Sequence, residues 1–370
     1  MTKPFSDGLI PLFLDLVRIN AVSLKERPMA DELIRLLGRS GVRVEEDSSA
    51  SVLGGDAGNL LCFPPGFDSG RPALMLTAHL DTVLPTGRQK AVVHPDRITS
   101  DGTGILGADN RLGLAVLVQL LRQCAAGQLA YRNFFCVFTV AEEIGLLGAG
   151  TVDLSPYRVS GGVVFDCSRR PGIYIQESVG LHLFTARIFG KAAHSGVNPE
   201  EGASAIVMAS QAIARLSLGR LDANTTANVG RIQGGEAVNA IPEKVVAEGE
   251  VRSFDPPRIL EQLEVIRQTF LDAVQGQGRL EFETQVDFEP YVLPGSAGVV
   301  KDLDRAIRAA GCVPQPIRYT GGSDANQYNA KGVPAVNIGI GAQKPHSAEE
   351  FVLLEDLDST FRIAVELVRA

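Results

Sequence analysis

Long apolar runs are missing from this chain of 370 residues. The longest, such as Leu112 to Leu121, are far too short to span a bilayer. No basic stripe appears, and the net charge of −8 argues against a nucleic-acid binder. The first residues lack a basic segment followed by a cleavable apolar run, so no secretory leader is expected. Cysteines are few. Cys62, Cys124, Cys136, Cys167 and Cys312 are scattered, odd in number and never spaced as Cys-x-x-Cys. Reduced thiols in a cytoplasm fit that usage. Gly-x-Ser-x-Gly is absent too, which leaves Ser-His-Asp hydrolysis without support. There is no internal repeat and no low-complexity segment.

What is present is an alternation of strands and helices. At 370 residues the chain exceeds one ordinary core, so two domains are expected. Apolar periodicity predicts helices over 6–20, 28–40 and 111–124, and strands over 42–45, 59–63, 73–77, 133–140 and 162–165. Residues 98–109 read as a loop. Such alternation predicts an α/β fold with a mostly parallel sheet flanked by helices. Near residue 177 the pattern changes. Strands over 179–189, 226–232, 245–252 and 280–286, with amphipathic helices over 200–217 and 258–274, predict an inserted α+β module of four strands and two helices. The α/β pattern then resumes with helix 299–310, strand 335–338 and helix 355–369. The expected division is a catalytic domain of residues 1–176 and 287–370, and a lid of residues 177–286.

The chemistry-bearing residues fall where strands end, the usual place for ligands in an α/β sheet. Leu74-Met-Leu-Thr-Ala-His79-Leu-Asp81 reads as a buried strand ending in a histidine, with an aspartate on the same face two residues later. Asp81 is placed to support the His79 ring. Taken alone, a His-x-Asp pair is as easily a surface accident. Asp109, in Leu106-Gly-Ala-Asp-Asn110, is by itself a plain helix cap. Gly102-x-Gly104-x-x-Gly107 matches a dinucleotide fingerprint but follows no clear strand within a βαβ unit. Glu142 and Glu143 close an apolar strand and repel each other unless a cation is near. As neighbours they point apart, so one can bind metal while the other faces a water. Alone, the pair also reads as a solvated turn. Asp166 ends another strand, and His346 lies in a polar loop before the last helix.

Together, His79, Asp81, Asp109, Glu142, Glu143, Asp166 and His346 resemble the metallopeptidase family M20, and within it the peptidase T-like tripeptidases. The stations His-Leu-Asp-Thr-Val, Leu-Gly-Ala-Asp-Asn, Ala-Glu-Glu, Phe-Asp and Pro-His-Ser stand in the family's order across essentially the whole chain. The resemblance implies a two-metal site. His79 and Asp166 would hold one ion, Glu143 and His346 the other, and Asp109 would bridge them through a cis bond to Asn110. Asp81 would orient His79, and Glu142 would be the general base. A nitrogen and oxygen donor set without cysteine suits Zn²⁺, with Mn²⁺ or Co²⁺ as alternatives.

The inserted module carries the same resemblance. Gly190-Lys-Ala-Ala-His194-Ser-Gly is similar to the segment whose histidine steadies the tetrahedral intermediate. Gly234-Gly-Glu-Ala-Val-Asn239 is similar to a substrate-contacting loop. Arg252 corresponds to the arginine that grips a substrate carboxylate, a task for which a guanidinium fork is suited; its plain reading is a surface ion pair. Thr320-Gly-Gly-Ser-Asp324 resembles a loop lining the cleft, without a catalytic role. His94 and His182 match no station and read as structural or surface residues. The resemblance implies release of the amino-terminal residue from short peptides and leaves open a homodimer formed through the lid, as in some relatives; charge and cysteine usage point to a cytoplasmic enzyme with neither nucleic acid nor membrane as partner. The nearest rival is an amidase acting on N-acyl amino acids. A rival of another class is a non-catalytic metal- or dinucleotide-binding protein.

Overall fold

Strand sequences that are apolar almost throughout, such as Ala73–His79 and Phe134–Thr139, belong in the middle of a sheet covered on both faces. They do so here. The computed structural model describes residues 8–370, and the expected start of the first helix at residues 6–7 lies outside them. The chain divides into two units. The first comprises the described residues up to Glu177, with Val292–Tyr319 and Ser323–Ala370; the second comprises Ser178–Tyr291 and Thr320–Gly322.

Unit 1 is built on a nine-stranded sheet. Its centre runs Phe134–Thr139, Ala73–His79, Val159–Cys167 and Ala335–Gly339, all parallel. Towards the edges, Leu60–Phe63 and Ile173–Ser178 pair antiparallel with this core. The parallel strands therefore occupy the middle, and the sheet as a whole is mixed. Parallel order sends the carboxyl ends of Ala73–His79, Phe134–Thr139 and Val159–Cys167 to one edge. The buried helix Ala108–Ala125 packs close to that edge. Gly113 permits this approach: a Cβ there would stand 2.2 Å from Asn110 Oδ1 and 2.5 Å from the Phe165 carbonyl. The expected loop over 98–109 is corrected at its start, where Arg97–Ser100 is a strand paired with Phe351–Leu353 and Ala91–Val93. At its far end the expectation holds, since Asp109 (φ −83°, ψ 105°) and Asn110 (φ −118°, ψ 33°) are non-helical and regular helix begins only after them. A four-residue strand whose partner comes from the far end of the chain leaves no local signature.

Unit 2 is a five-stranded antiparallel sheet in the order Gly219–Arg220, Thr225–Gly234, Lys244–Ser253, Gly180–Phe189, Arg279–Phe288. Four strands are expected from the sequence. The fifth, Gly219–Arg220, has only two residues and so cannot show alternation. Helices Ala205–Arg215 and Pro256–Val274 cover one face, burying Phe184, Ile188, Met208, Val251, Ile266 and Phe270 between helix and sheet. Among the described residues, no helix is long and apolar enough to cross a membrane.

Candidate metal centre

The sheet edge gathers the predicted residues of unit 1. His79, 1% exposed, ends its strand, and the chain turns so that Asp81 comes back beneath the ring. Asp81 Oδ1 is 3.2 Å from His79 Nδ1. With Asp81 as acceptor, Nδ1 keeps a proton and Nε2 faces outward. Nε2 faces Asp109 Oδ1 at 3.2 Å and Asp166 Oδ1 at 3.3 Å. The second histidine repeats the arrangement. His346 Nε2 lies 3.1 Å from Glu143 Oε1 and 3.4 Å from Asp109 Oδ2. Asp109 thus gives one oxygen to each histidine. Its peptide bond to Asn110 is cis, as the resemblance implies.

These distances test whether metal ions fit. Donors around one tetrahedral ion at ~2.0–2.2 Å stand about 3.4 Å from one another. The four histidine-to-carboxylate distances, 3.1 to 3.4 Å, match that spacing. Three sets of residues bring their ligand atoms within 4.8 Å of one another: His79, Asp109 and Asp166; Asp109, Glu143 and His346; and His79, Glu142 and Glu143. Imidazoles and carboxylates without thiolate suit a borderline or hard divalent cation.

The electrostatics point the same way. Asp109 and Glu143 hold the His346 imidazolium up to about 10. Burial would lower His79, but the Glu142 charge and the bonds to Asp109, Asp166 and Asp81 outweigh it and raise it well above the usual histidine range. Burial first, then the Asp166 charge, lifts the Glu142 carboxyl well above its ordinary value. Burial also takes Asp166 to about 6. Carboxylates are crowded here beyond what two imidazoles neutralise, and a pocket of that kind favours cations.

Comparison with known proteins gives this geometry its context. A family model described as "Peptidase dimerisation domain" matches residues 177–278, and one described as "M42 glutamyl aminopeptidase" matches residues 91–169. The chain is 34% identical to the uncharacterized protein YqjE of Bacillus subtilis, over 97% of each chain. It is similar to the crystal structure of aminopeptidase PepT from Bacillus cereus, with a TM-score of 0.87, 32% identity and 98% of each chain covered. It is also similar to a tripeptidase from Staphylococcus aureus, with a TM-score of 0.91, 33% identity and 98% of each chain covered. The chain belongs to the M20 peptidase family and is peptidase T-like. It is a metal-dependent exopeptidase.

In this M20 peptidase several supporting residues escape a reading of the sequence. Glu350 accepts from the backbone N–H of Gly107 at 2.7 Å and of Asp109 at 3.0 Å. A carboxylate therefore occupies the amide of the last glycine of the run, Gly107. Asn110 Nδ2 donates to Asp166 Oδ1 at 3.2 Å. Arg111 is fully buried and donates to the Leu80 carbonyl at 2.5 Å, tying the helix to the turn between His79 and Asp81. Thr139, beside His79 in the sheet, donates to Asp324 Oδ2 at 2.5 Å. Burial pushes the Asp324 carboxyl up to about 7. Each of these contacts joins residues far apart in sequence or uses a backbone group, so residue type alone carries no sign of it.

The remaining predicted residues of the M20 peptidase lie in unit 2. His194 and Asn239 are brought side by side: Ser195 donates its N–H to the Asn239 carbonyl at 3.0 Å, and His194 bridges to Ala240. Arg252 makes a two-pronged contact with Glu250, Nε to Oε1 at 2.9 Å and Nη2 to Oε2 at 3.0 Å, and Nη1 donates to the Thr320 carbonyl at 3.3 Å. The ion-pair partner of Arg252 is thus Glu250. His94 is exposed beside Thr99, and His182 is buried 3.6 Å from Glu289.

Proposed function

We propose that this enzyme releases the amino-terminal residue of short peptides, tripeptides above all, using two divalent ions. Zn²⁺ is the preferred ion, with Mn²⁺ and Co²⁺ as alternatives. His79 and Asp166 would hold one, Glu143 and His346 the other, and Asp109 both. The observation that carries this reading is the division of Asp109, with Oδ1 3.2 Å from His79 Nε2 and Oδ2 3.4 Å from His346 Nε2. When bound, the ions supply Lewis-acid chemistry that acidifies water and polarises the scissile carbonyl. The chain's own residues do the rest. Asp81 fixes the His79 tautomer and ring plane. Glu142 takes the proton of the attacking water on a carboxylate oxygen and returns it to the departing amine. Unit 2 is proposed as a lid and dimerisation module that supplies substrate contacts, with Arg252 for the terminal carboxylate, and Asn239 and His194 for the peptide.

The names of the two similar structures, an aminopeptidase and a tripeptidase, support the choice of substrate. The direct test is mass spectrometry on a mixed panel of tripeptides, dipeptides, N-acetylated peptides and N-acyl amino acids. Each is incubated with Zn²⁺, Mn²⁺ or Co²⁺, and with chelator. Loss of only the first residue from free tripeptides, abolished by chelator, is the expected result. Cleavage of N-acyl substrates alone would keep the centre and replace the substrate.

Arg252→Ala tests the carboxylate assignment separately. A charge-assisted two-pronged contact is worth about 1.5–3 kcal/mol. KM for a free-acid tripeptide should therefore rise roughly ten- to a hundredfold, while its carboxyl-terminal amide changes little. Equal losses for acid and amide would remove Arg252 from that role.

A further inference from the structure

Glu142 and Glu143 leave the sheet through a corner whose backbone is held in an unusual way. Four consecutive amides each donate to a side-chain oxygen: Val140 to Asn59 Oδ1 at 3.0 Å, Ala141 to Glu26 Oε1 at 2.9 Å, Glu142 to Asp81 Oδ1 at 3.1 Å and Glu143 to Asp81 Oδ2 at 3.1 Å. Ala141 sits at φ 51°, a left-handed conformation that a residue with a Cβ adopts only when its surroundings hold it. Directly after it come the two glutamates, each with a carboxylate oxygen within 4.8 Å of the other's and of a His79 ring nitrogen. Asn59 and Asp81 are tied into other work: Asn59 bonds Asp47, Ser49 and the Gly148 carbonyl, and Asp81 supports His79 and takes the Ser23 hydroxyl.

Glu26 is different. It is fully buried, one residue before the helix Arg27–Arg39. Its Oε1 accepts from Ala141 and from Leu24 at 2.8 Å, while its Oε2 is buried without a hydrogen-bond partner. Burying a carboxyl with one oxygen unsatisfied is costly and needs a reason. The same side chain meets a second strained position, since Leu24 is itself left-handed at φ 66°.

We propose that Glu26 is a positioning residue for the catalytic corner: it locks the left-handed turn at Ala141 and so fixes the directions in which Glu142 and Glu143 point. The proposal rests on the reading of Glu142 as base and Glu143 as ligand. What the corner needs from Glu26 is an acceptor at the right reach, not a negative charge. Burial and the Asp81 charge lift this carboxyl to about 7, so near neutral pH it is only partly ionised.

Two variants separate reach from charge. Glu26→Gln keeps an acceptor at the same distance without the charge. Glu26→Asp keeps the charge but withdraws the acceptor by one methylene. Three quantities are measured on each full-length protein. They are hydrogen exchange of the Ala141–Glu143 amides without metal, Co²⁺ affinity from visible absorption, and kcat and KM on a tripeptide. Glu26→Gln should stay within about threefold of wild type in all three. Glu26→Asp should exchange its corner amides faster, bind Co²⁺ about 10–100-fold more weakly and lose a similar factor in kcat with little change in KM. The inverse pattern, with Asp tolerated and Gln damaging, would overturn the proposal, as would wild-type behaviour of both. If Glu26→Asp fails to fold, exchange in Glu26→Gln decides. Protection of Ala141 equal to wild type supports the proposal, and lost protection with unchanged kcat overturns it. Exchange and Co²⁺ affinity do not depend on turnover, so they judge the corner even if the Glu142 assignment fails.

Discussion

Glu142→Ala should keep both ions and turn over peptide about 10³-fold more slowly, in the middle of the range for losing a positioned general acid–base. The reason is local. It is the Glu142 backbone N–H, not its carboxylate, that bonds Asp81 and helps to hold the corner. Truncating the side chain leaves Asp81, the His79 ring and the path of the chain as they are. Metal content by elemental analysis should match wild type, with the loss in kcat and little change in KM. The result is informative in either direction, because Glu142 also comes within ligand reach of His79 and Glu143. A variant that turns over within tenfold of wild type is not missing its base. A variant that loses metal would make Glu142 a ligand.

Asp109→Ala should do the opposite and strip the centre. Both histidines face this carboxylate, one through each oxygen. Outer partners of metal ligands are worth about 10–100-fold in affinity, so removal of a shared ligand should cost more than ~100-fold. Calorimetric titration with Zn²⁺ should show fewer than two tight sites, and activity should fall to that of chelator-treated protein. The fold should survive, because the Asp109 backbone N–H still has Glu350 as its acceptor. Two ions bound at wild-type affinity would exclude Asp109 as a bridge.

The parts of this protein that were legible in its sequence are those written in side chains. The apolar strand before His79, the adjacent glutamates and the strand-end Asp166 announce themselves by residue type and place, and their conjunction names the family. The two-unit division and most helices follow from hydrophobic period. What stayed hidden is written in backbone groups and distant pairings. Glu350 reads as one more acid before the last helix, yet its carboxylate holds the amides of Gly107 and Asp109, the latter 241 residues away. Glu26 is hidden for the same reason, and Asp324 because its partner, the Thr139 hydroxyl, stands 185 residues away. Every residue but proline has an N–H, so a carboxylate that acts through one leaves no motif. The short strand Arg97–Ser100 and the two-residue strand Gly219–Arg220 exist only because of their partners.

The order of the proposed ligands along the chain would also govern when catalysis can begin. His79, Asp109, Glu143 and Asp166 precede unit 2, while His346 follows it. So does Ala335–Gly339, the strand that fills the place between Val159–Cys167 and Ile173–Ser178. On the ribosome, the first part of unit 1 must wait with a gap in its sheet while the whole of unit 2 is made. Unit 2 can fold during that wait, since domains form as units during synthesis. Only when the later segment arrives does the sheet close and His346 meet Glu143. On the proposed ligand assignment, a chain interrupted before that point would carry half a centre and no shared site, which would tie hydrolytic power to completed synthesis.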